Sequence, residues 1–97
     1  MEAKQALAST FELLGRRWAL PLVWELRRDT LAFAELRSRL GISPSVLSTR
    51  LGELTEAGVI ERDGRRRYRL TGRGRELARL LYELNRWSRG GGVSSQA

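Results

Sequence analysis

The run Gly41–Thr71, "GISPSVLSTRLGELTEAGVIERDGRRRYRLT", contains a helix start, a helix stop and a hairpin in direct succession. Ser43 is a good N-cap, and Pro44 follows at the first helical position, where its missing N–H costs nothing. Leu47, Leu51 and Leu54 recur at helical spacing and define a core side for a helix from Pro44 to about Ala57. Gly58 supplies the left-handed residue that ends it. "VIER" and "RRRYRL" then flank Asp63-Gly64, the signature of a two-residue type I′ hairpin turn.

Working outward, Ala3, Leu7, Phe11 and Leu14 step by four, four and three, which predicts a first helix over residues 2–14 ended by Gly15. In "RRWALPLVWELRR", Trp18, Leu22 and Leu26 form a stripe with Val23 beside it. Pro21 forbids a regular interior there, so this helix begins near Trp18 or bends at its first turn. "TLAF" can hold a short extended piece. Phe33, Leu36 and Leu40 mark a third, short helix stopped by Gly41. Beyond the hairpin, Thr71 caps a last helix carrying Leu77, Leu80, Leu81, Leu84 and Trp87, and the Gly- and Ser-rich residues 89–97 read as a disordered tail. The order is helix, helix, helix–turn–helix, hairpin, helix: mainly α with a small β-hairpin, a winged helix-turn-helix over residues 1–88.

The helix from Pro44 keeps its early turns free of acid, with Glu53 and Glu56 arriving late. Acidic residues normally favour the first turn of a helix, so their absence leaves free N–H groups able to meet phosphate. Ser45, Thr49 and Gly52 fall opposite the leucines and Ser48 on the flank; hydroxyls there can bond phosphates or base edges. Arg50 lies beside the core, where a phosphate and an acid on a neighbouring helix are equally open as its partner. Between Arg62 and Arg75 stand seven arginines against the single acid Asp63. The expected tight turn carries Arg62, Arg65, Arg66 and Arg67 at the tip of a ribbon that can enter a minor groove or straddle phosphates. Tyr68 and Leu70 are expected to pack inward.

Composition narrows the function. The net charge of +7 points to an anionic partner. Cysteine and histidine are both absent, which removes disulfides, thiolate metal sites, thiol redox sensing and the usual general base near neutral pH. The carboxylates are spread out, and the chain reads as a non-enzyme without metal or cofactor. No apolar run is long enough for a membrane span. No basic segment followed by an apolar one opens the chain, so a cytoplasmic location is expected. The aromatics Trp18, Trp24 and Phe33 read as core, and no small-molecule effector is indicated. The terminal helices, residues 2–14 and 72–88, carry more apolar stripe than one small core needs. Leu7, Phe11, Leu14, Leu77, Leu81, Leu84 and Trp87 are therefore expected to form a homodimer interface.

"LLGRRWALPLVWEL", "AFAELRSRL" with the following "GISPSVLSTRLGELTEAGVIER", and "YRLTGRGREL" resemble, in this order, the HxlR-type winged-helix transcriptional regulators. The resemblance runs from about Phe11 to Trp87. It implies a dimeric DNA-binding regulator joined through its terminal helices, with the helix from Pro44 as recognition helix and the hairpin as wing. Ser43, Ser45, Ser48, Thr49 and Arg50 are the implied DNA contacts, and the wing adds Arg65, Arg66 and Arg67. The wing departs from the family pattern: Asp63-Gly64 stands where relatives often have a longer loop, frequently with proline. Sensing of electrophiles through cysteine, found in some relatives, cannot carry over. The expected partner is double-stranded DNA with a near-palindromic operator. Two other readings stay open, a protein-interaction winged helix docking an acidic partner and an architectural, sequence-independent DNA binder.

Overall fold

The computed structural model describes residues 2–92. In chain order the elements are α1 (Glu2–Leu14), α2 (Ala19–Glu25), β1 (Leu31–Ala32), α3 (Phe33–Leu40), α4 (Pro44–Glu56), β2 (Ile60–Arg62), β3 (Arg67–Leu70) and α5 (Gly72–Trp87). A widened turn, Ser88–Gly92, continues α5, with Gly91 kinked to a φ of 97°. The tail expected to be disordered from Arg89 thus starts as a π-type turn, and residues 93–97 lie outside the described residues.

The core draws on the middle of the chain. Leu22 and Val23 of α2, Leu31 of β1, Leu36 of α3, Leu47 and Leu54 of α4 and Ile60 of β2 are fully enclosed. These are the leucine positions that the helical spacing marks in α2, α3 and α4, and they bury the apolar stripe of each helix. Trp18 precedes α2 with a left-handed φ of 79°, and Pro21 is the third residue of that helix. Its missing N–H therefore falls among the first four, which have no partner inside a helix in any case. Glu35 Oε1 accepts from the Ala32 N–H at 2.8 Å, fixing the passage from β1 into α3.

The sheet has three strands in the order β1-β3-β2, both pairs antiparallel. The extended piece expected in "TLAF" is β1, which pairs Leu31 with Tyr68 and Ala32 with Arg67. The hairpin differs from the expected two-residue turn. Ile60 pairs with Leu70 and Arg62 with Tyr68. A turn confined to Asp63-Gly64 would instead have set Arg62 opposite Arg65. Burial of Ile60 and Leu70 on one face fixes the register and overrides the local turn preference.

The loop that results is Gly64-Arg65-Arg66, a three-residue connection. The Arg66 N–H donates to Asp63 O at 3.2 Å and the Asp63 N–H to Arg67 O at 2.8 Å. Arg66 takes the left-handed conformation, φ 62°, the conformation such a loop requires at its last residue. For an L-residue this costs about 1–2 kcal/mol. Asp63 Oδ1 offsets it by accepting from the N–H groups of Arg65 (2.8 Å) and Arg67 (2.9 Å).

One junction ties the wing to both flanking helices. Beyond the end of α4, Gly58 takes the left-handed conformation with a φ of 76°. The Thr71 N–H donates to Val59 O at 3.0 Å. Its hydroxyl donates to Gly58 O at 2.5 Å, with Val59 O at 3.1 Å. The same oxygen accepts from the Gly74 N–H at 3.0 Å, capping α5. Gly74 is buried against Val59 and Leu70, and a β-carbon placed there would overlap Val59 O and lie 3.1 Å from Leu70 Cβ.

Gly74→Ala must therefore push α5 off the wing, and the expected loss is about 2 kcal/mol in chemical denaturation. Gly52→Ala, where nothing lies within 4 Å, should instead gain about 0.5–1 kcal/mol from helix propensity. Equal midpoints for the two variants would contradict the close packing at Gly74. A second expectation concerns Asp63. The N–H of Arg67, chiefly, and then that of Arg65 hold its carboxyl below the ordinary 3.8 against a raising effect of burial, with Arg67 and Arg69 adding their charge. Folding lowers this pKa, so the stabilisation is complete above the unfolded value and vanishes as pH falls through the folded one. The amide resonances of Arg65 and Arg67 should titrate together below pH 3.8 and stay flat in Asp63→Asn; a midpoint above the ordinary value would overturn this account.

Candidate nucleic-acid interface

The outward surface of α4 is set by its buried one. With Leu47, Leu51 and Leu54 inside, residues Ser45, Ser48, Thr49 and Gly52 are exposed. Ser43 caps the helix, its Oγ accepting from the Val46 N–H at 3.4 Å, and the first turn contains no acid. Thr49 Oγ1 donates to Ser45 O at 3.0 Å, so its lone pairs remain open as acceptors. The arrangement is a helix N-terminus free of acid, with small side chains and three exposed hydroxyls. It can accept an anion and permit close approach of a large flat surface.

The structure adds one group that helical spacing does not single out. Arg37 and Ser38, exposed on α3, share a shallow depression with Ser43 and Pro44 across the turn between the helices. Arg37 thus brings a cation to the N-terminus of α4. Its place in the last turn of α3 is readable from sequence; its proximity to Ser43 depends on how tightly Gly41 turns the chain.

Arg50 is turned the other way. Its Nε donates to Arg17 O at 2.8 Å, and its Nη1 lies 3.3 Å from Glu53 Oε1. Arg16 reaches the other oxygen of Glu53 at 3.6 Å. Of the two partners open for Arg50, the acid is the one it meets, on its own helix rather than a neighbouring one. This corrects its placement among the surface contacts: the guanidinium fastens α4 to the loop between α1 and α2. Glu53, late in α4, thus faces both Arg16 and Arg50.

The wing arginines divide by partner. Arg67 Nε lies 3.4 Å from Asp63 Oδ2 and Arg69 Nε 2.8 Å from Glu61 Oε2. Arg62 covers the ring of Tyr68, 5.5 Å from its centroid. Arg65 and Arg66, exposed at the loop, have no carboxylate within 4.0 Å among the described residues. Of the three wing candidates, Arg65 and Arg66 are therefore open and Arg67 is partly neutralised. Tyr68 is half-buried and Leu70 buried, as their alternation predicts.

The terminal helices leave a broad apolar surface. Leu7, Phe11, Leu80, Leu84 and Trp87 are between 48% and 66% exposed. Four of the seven expected interface residues, Leu7, Phe11, Leu84 and Trp87, belong to it. Leu14, Leu77 and Leu81 are half-buried instead, and Leu77 and Leu81 pack on this chain's own core. The inward stripe of α5 runs through Gly74, Ala78 and Leu81, so its outward stripe is Leu80, Leu84 and Trp87, and Leu80 joins the surface. A cleft of about 220 Å³ between α1 and α5, lined by Leu13, Leu14, Leu77 and Leu80 among others, continues it.

No helix of the described residues is long and apolar enough to cross a membrane. The family model of the HxlR-like helix-turn-helix matches residues 13–93. The HTH-type transcriptional regulator YvaP of Bacillus subtilis (strain 168) is 36% identical over 84 residues, which cover 79% of this chain and 78% of YvaP. The HTH-type transcriptional regulator Rv3095 of Mycobacterium tuberculosis is 34% identical over 89 residues, 86% of this chain and 56% of that longer protein. Among solved structures, quinone-bound YodB from B. subtilis superimposes with a TM-score of 0.81 at 30% identity, covering 88% of this chain and 96% of YodB. The helical core, the small antiparallel sheet and these matches agree: the chain belongs to the HxlR-like helix-turn-helix family, whose members are transcriptional regulators and not enzymes.

Proposed function

We propose that the chain regulates transcription as a homodimer on duplex DNA, with α4 in the major groove and the wing loop on the backbone or in the minor groove. The observation that carries this reading is the outer face of α4. Its first two turns present Ser45, Ser48 and Thr49 to solvent with no carboxylate, while the first acid on the helix, Glu53, is drawn inward by Arg16 and Arg50. A surface helix under no such demand would place acid at its N-terminus. Hydroxyls on the outer face suit base edges, and Ser43 and Arg37 suit the flanking phosphates. Arg65 and Arg66 supply two uncompensated charges at the wing loop. Such work on a chromosome fits a cytoplasmic protein.

The exposed side chains of α1 and α5 support the dimer. Leu7, Phe11, Leu80, Leu84 and Trp87 stand exposed on these two helices, the kind of apolar surface that marks an interaction site. A two-fold axis through these helices would set two recognition helices about one helical turn of DNA, roughly 34 Å, or a multiple of it, apart. A near-palindromic operator then mirrors the protein's symmetry.

The test is the salt dependence of duplex binding. Each phosphate that the protein no longer neutralises should flatten the slope of log K against log salt by about 0.9. Replacing both Arg65 and Arg66 with Ala should thus flatten it by about 1.8, whereas Arg67→Ala, already paired with Asp63, should change it less. Ser45→Ala and Thr49→Val should instead shift the preference among duplexes. An unchanged slope in the double variant would remove the wing from the interface, and equal losses on all duplexes would make Ser45 and Thr49 phosphate contacts only.

A further inference from the structure

At the root of the wing, where α2 ends, β1 begins and β3 passes into α5, four arginines meet in one cleft. Arg27, Arg28, Arg69 and Arg75 line a space of about 180 Å³ over an apolar floor of Leu26 and Leu70. Charges of one sign repel, so such a gathering normally carries its own counter-ions. Here they are spent elsewhere. Asp29, the one acid in the cleft, has Oδ2 3.6 Å from Arg39 of α3, which also reaches Glu25 at 3.6 Å. Glu61 is taken by Arg69 at 2.8 Å. Among the described residues, Arg27, Arg28 and Arg75 have no carboxylate within 4.0 Å.

Two of these guanidinium groups are held in place before any ligand arrives. Arg27 lies over the Trp24 ring, 3.9 Å from its centroid, and donates from Nη1 to Trp24 O at 2.8 Å. Its Nε is buried with no acceptor. Arg75 donates from Nη1 to Leu70 O at 3.2 Å. The Tyr82 ring packs edge-on against Trp24 at 5.1 Å, and the guanidinium groups of Arg28 and then Arg27 beside its hydroxyl hold the phenol below its ordinary 10.0. Fixed, forked donors without a counter-ion are the arrangement that recognises a carboxylate or phosphate through paired hydrogen bonds.

We propose that this cleft binds a small organic anion, a carboxylate or phosphate ester whose body is no larger than one ring seated on Leu26 and Leu70. The acidic group meets Arg28, Arg75 and the open side of Arg27, and the Thr30 hydroxyl stands at the same wall. An occupant would join α2, β3 and α5, and would compete with Glu61 for Arg69. This gives a ligand leverage on both the wing and the terminal helix. Binding itself does not depend on the proposed DNA complex.

The test uses the full-length chain without DNA, titrated with inorganic phosphate and with benzoate at constant ionic strength. A saturable change in tryptophan emission and a saturable rise in thermal midpoint are expected from at least one probe. In Arg28→Ala and Arg75→Ala the affinity should fall about tenfold or more, the loss of a charge-assisted hydrogen bond, while Arg79→Ala should bind as the parent does. Failure of both probes to saturate would overturn the proposal, as would equal responses in all three variants. If neither probe binds but Arg28→Ala flattens the salt slope of duplex binding, the cleft is a contact for DNA phosphate and the proposal falls.

Discussion

Thr71 and Gly74 hold the wing between α4 and α5. The end of α4, the first residue pair of the sheet and the start of α5 meet there through the Thr71 N–H, the Thr71 hydroxyl and the Gly74 N–H. The absence of a side chain at residue 74 lets the α5 backbone lie directly on Val59. α4, the wing and α5 are therefore tied together at this point by hydrogen bonds and a close backbone contact. This point couples α5 to both α4 and the wing.

The arginines carry the second theme. The +7 charge is not spread as a uniform basic coat. Arg16 and Arg50 converge on Glu53 and fasten α4 to the α1–α2 loop; Arg39 bridges α3 to Glu25 and Asp29; Arg67 and Arg69 brace the hairpin through Asp63 and Glu61. Among the described arginines left without a carboxylate partner are Arg65 and Arg66 at the loop and Arg27, Arg28 and Arg75 at the wing root. Exposed ion pairs add little to stability. Their larger effect here is to select which cations stay open to a partner.

Much of this is legible in the sequence. Leucine spacing locates α2, α3 and α4 and their buried faces, and Ser43-Pro44 marks the start of α4 because both residues act locally. The Asp63-Gly64 pair misleads for a physical reason. Local preference favours a two-residue loop, but the register follows the burial of Ile60 and Leu70, two positions whose pairing depends on the whole sheet. Arg66 accepts a left-handed backbone because Asp63 supports its neighbours, which no pattern of glycines announces. Arg50 is ambiguous in sequence because Arg17 O, its partner, lies 33 residues away along the chain. Likewise, periodicity shows that α5 is amphipathic but not that Gly74 and Ala78 are its innermost residues, which turns Leu81 inward and Leu80 outward.

The proposed function requires a two-fold pair of α4 helices to read duplex sequence. Selection of bound duplexes from a random-sequence library at moderate salt tests it most directly. The expected result is an enriched, two-fold-symmetric motif whose half-sites lie about one helical turn, roughly 10 base pairs, or a multiple of it, apart. Retention without enrichment would contradict sequence reading and leave a non-specific, charge-driven binder. No retention at all would mean that the open face of α4 meets a protein instead of DNA.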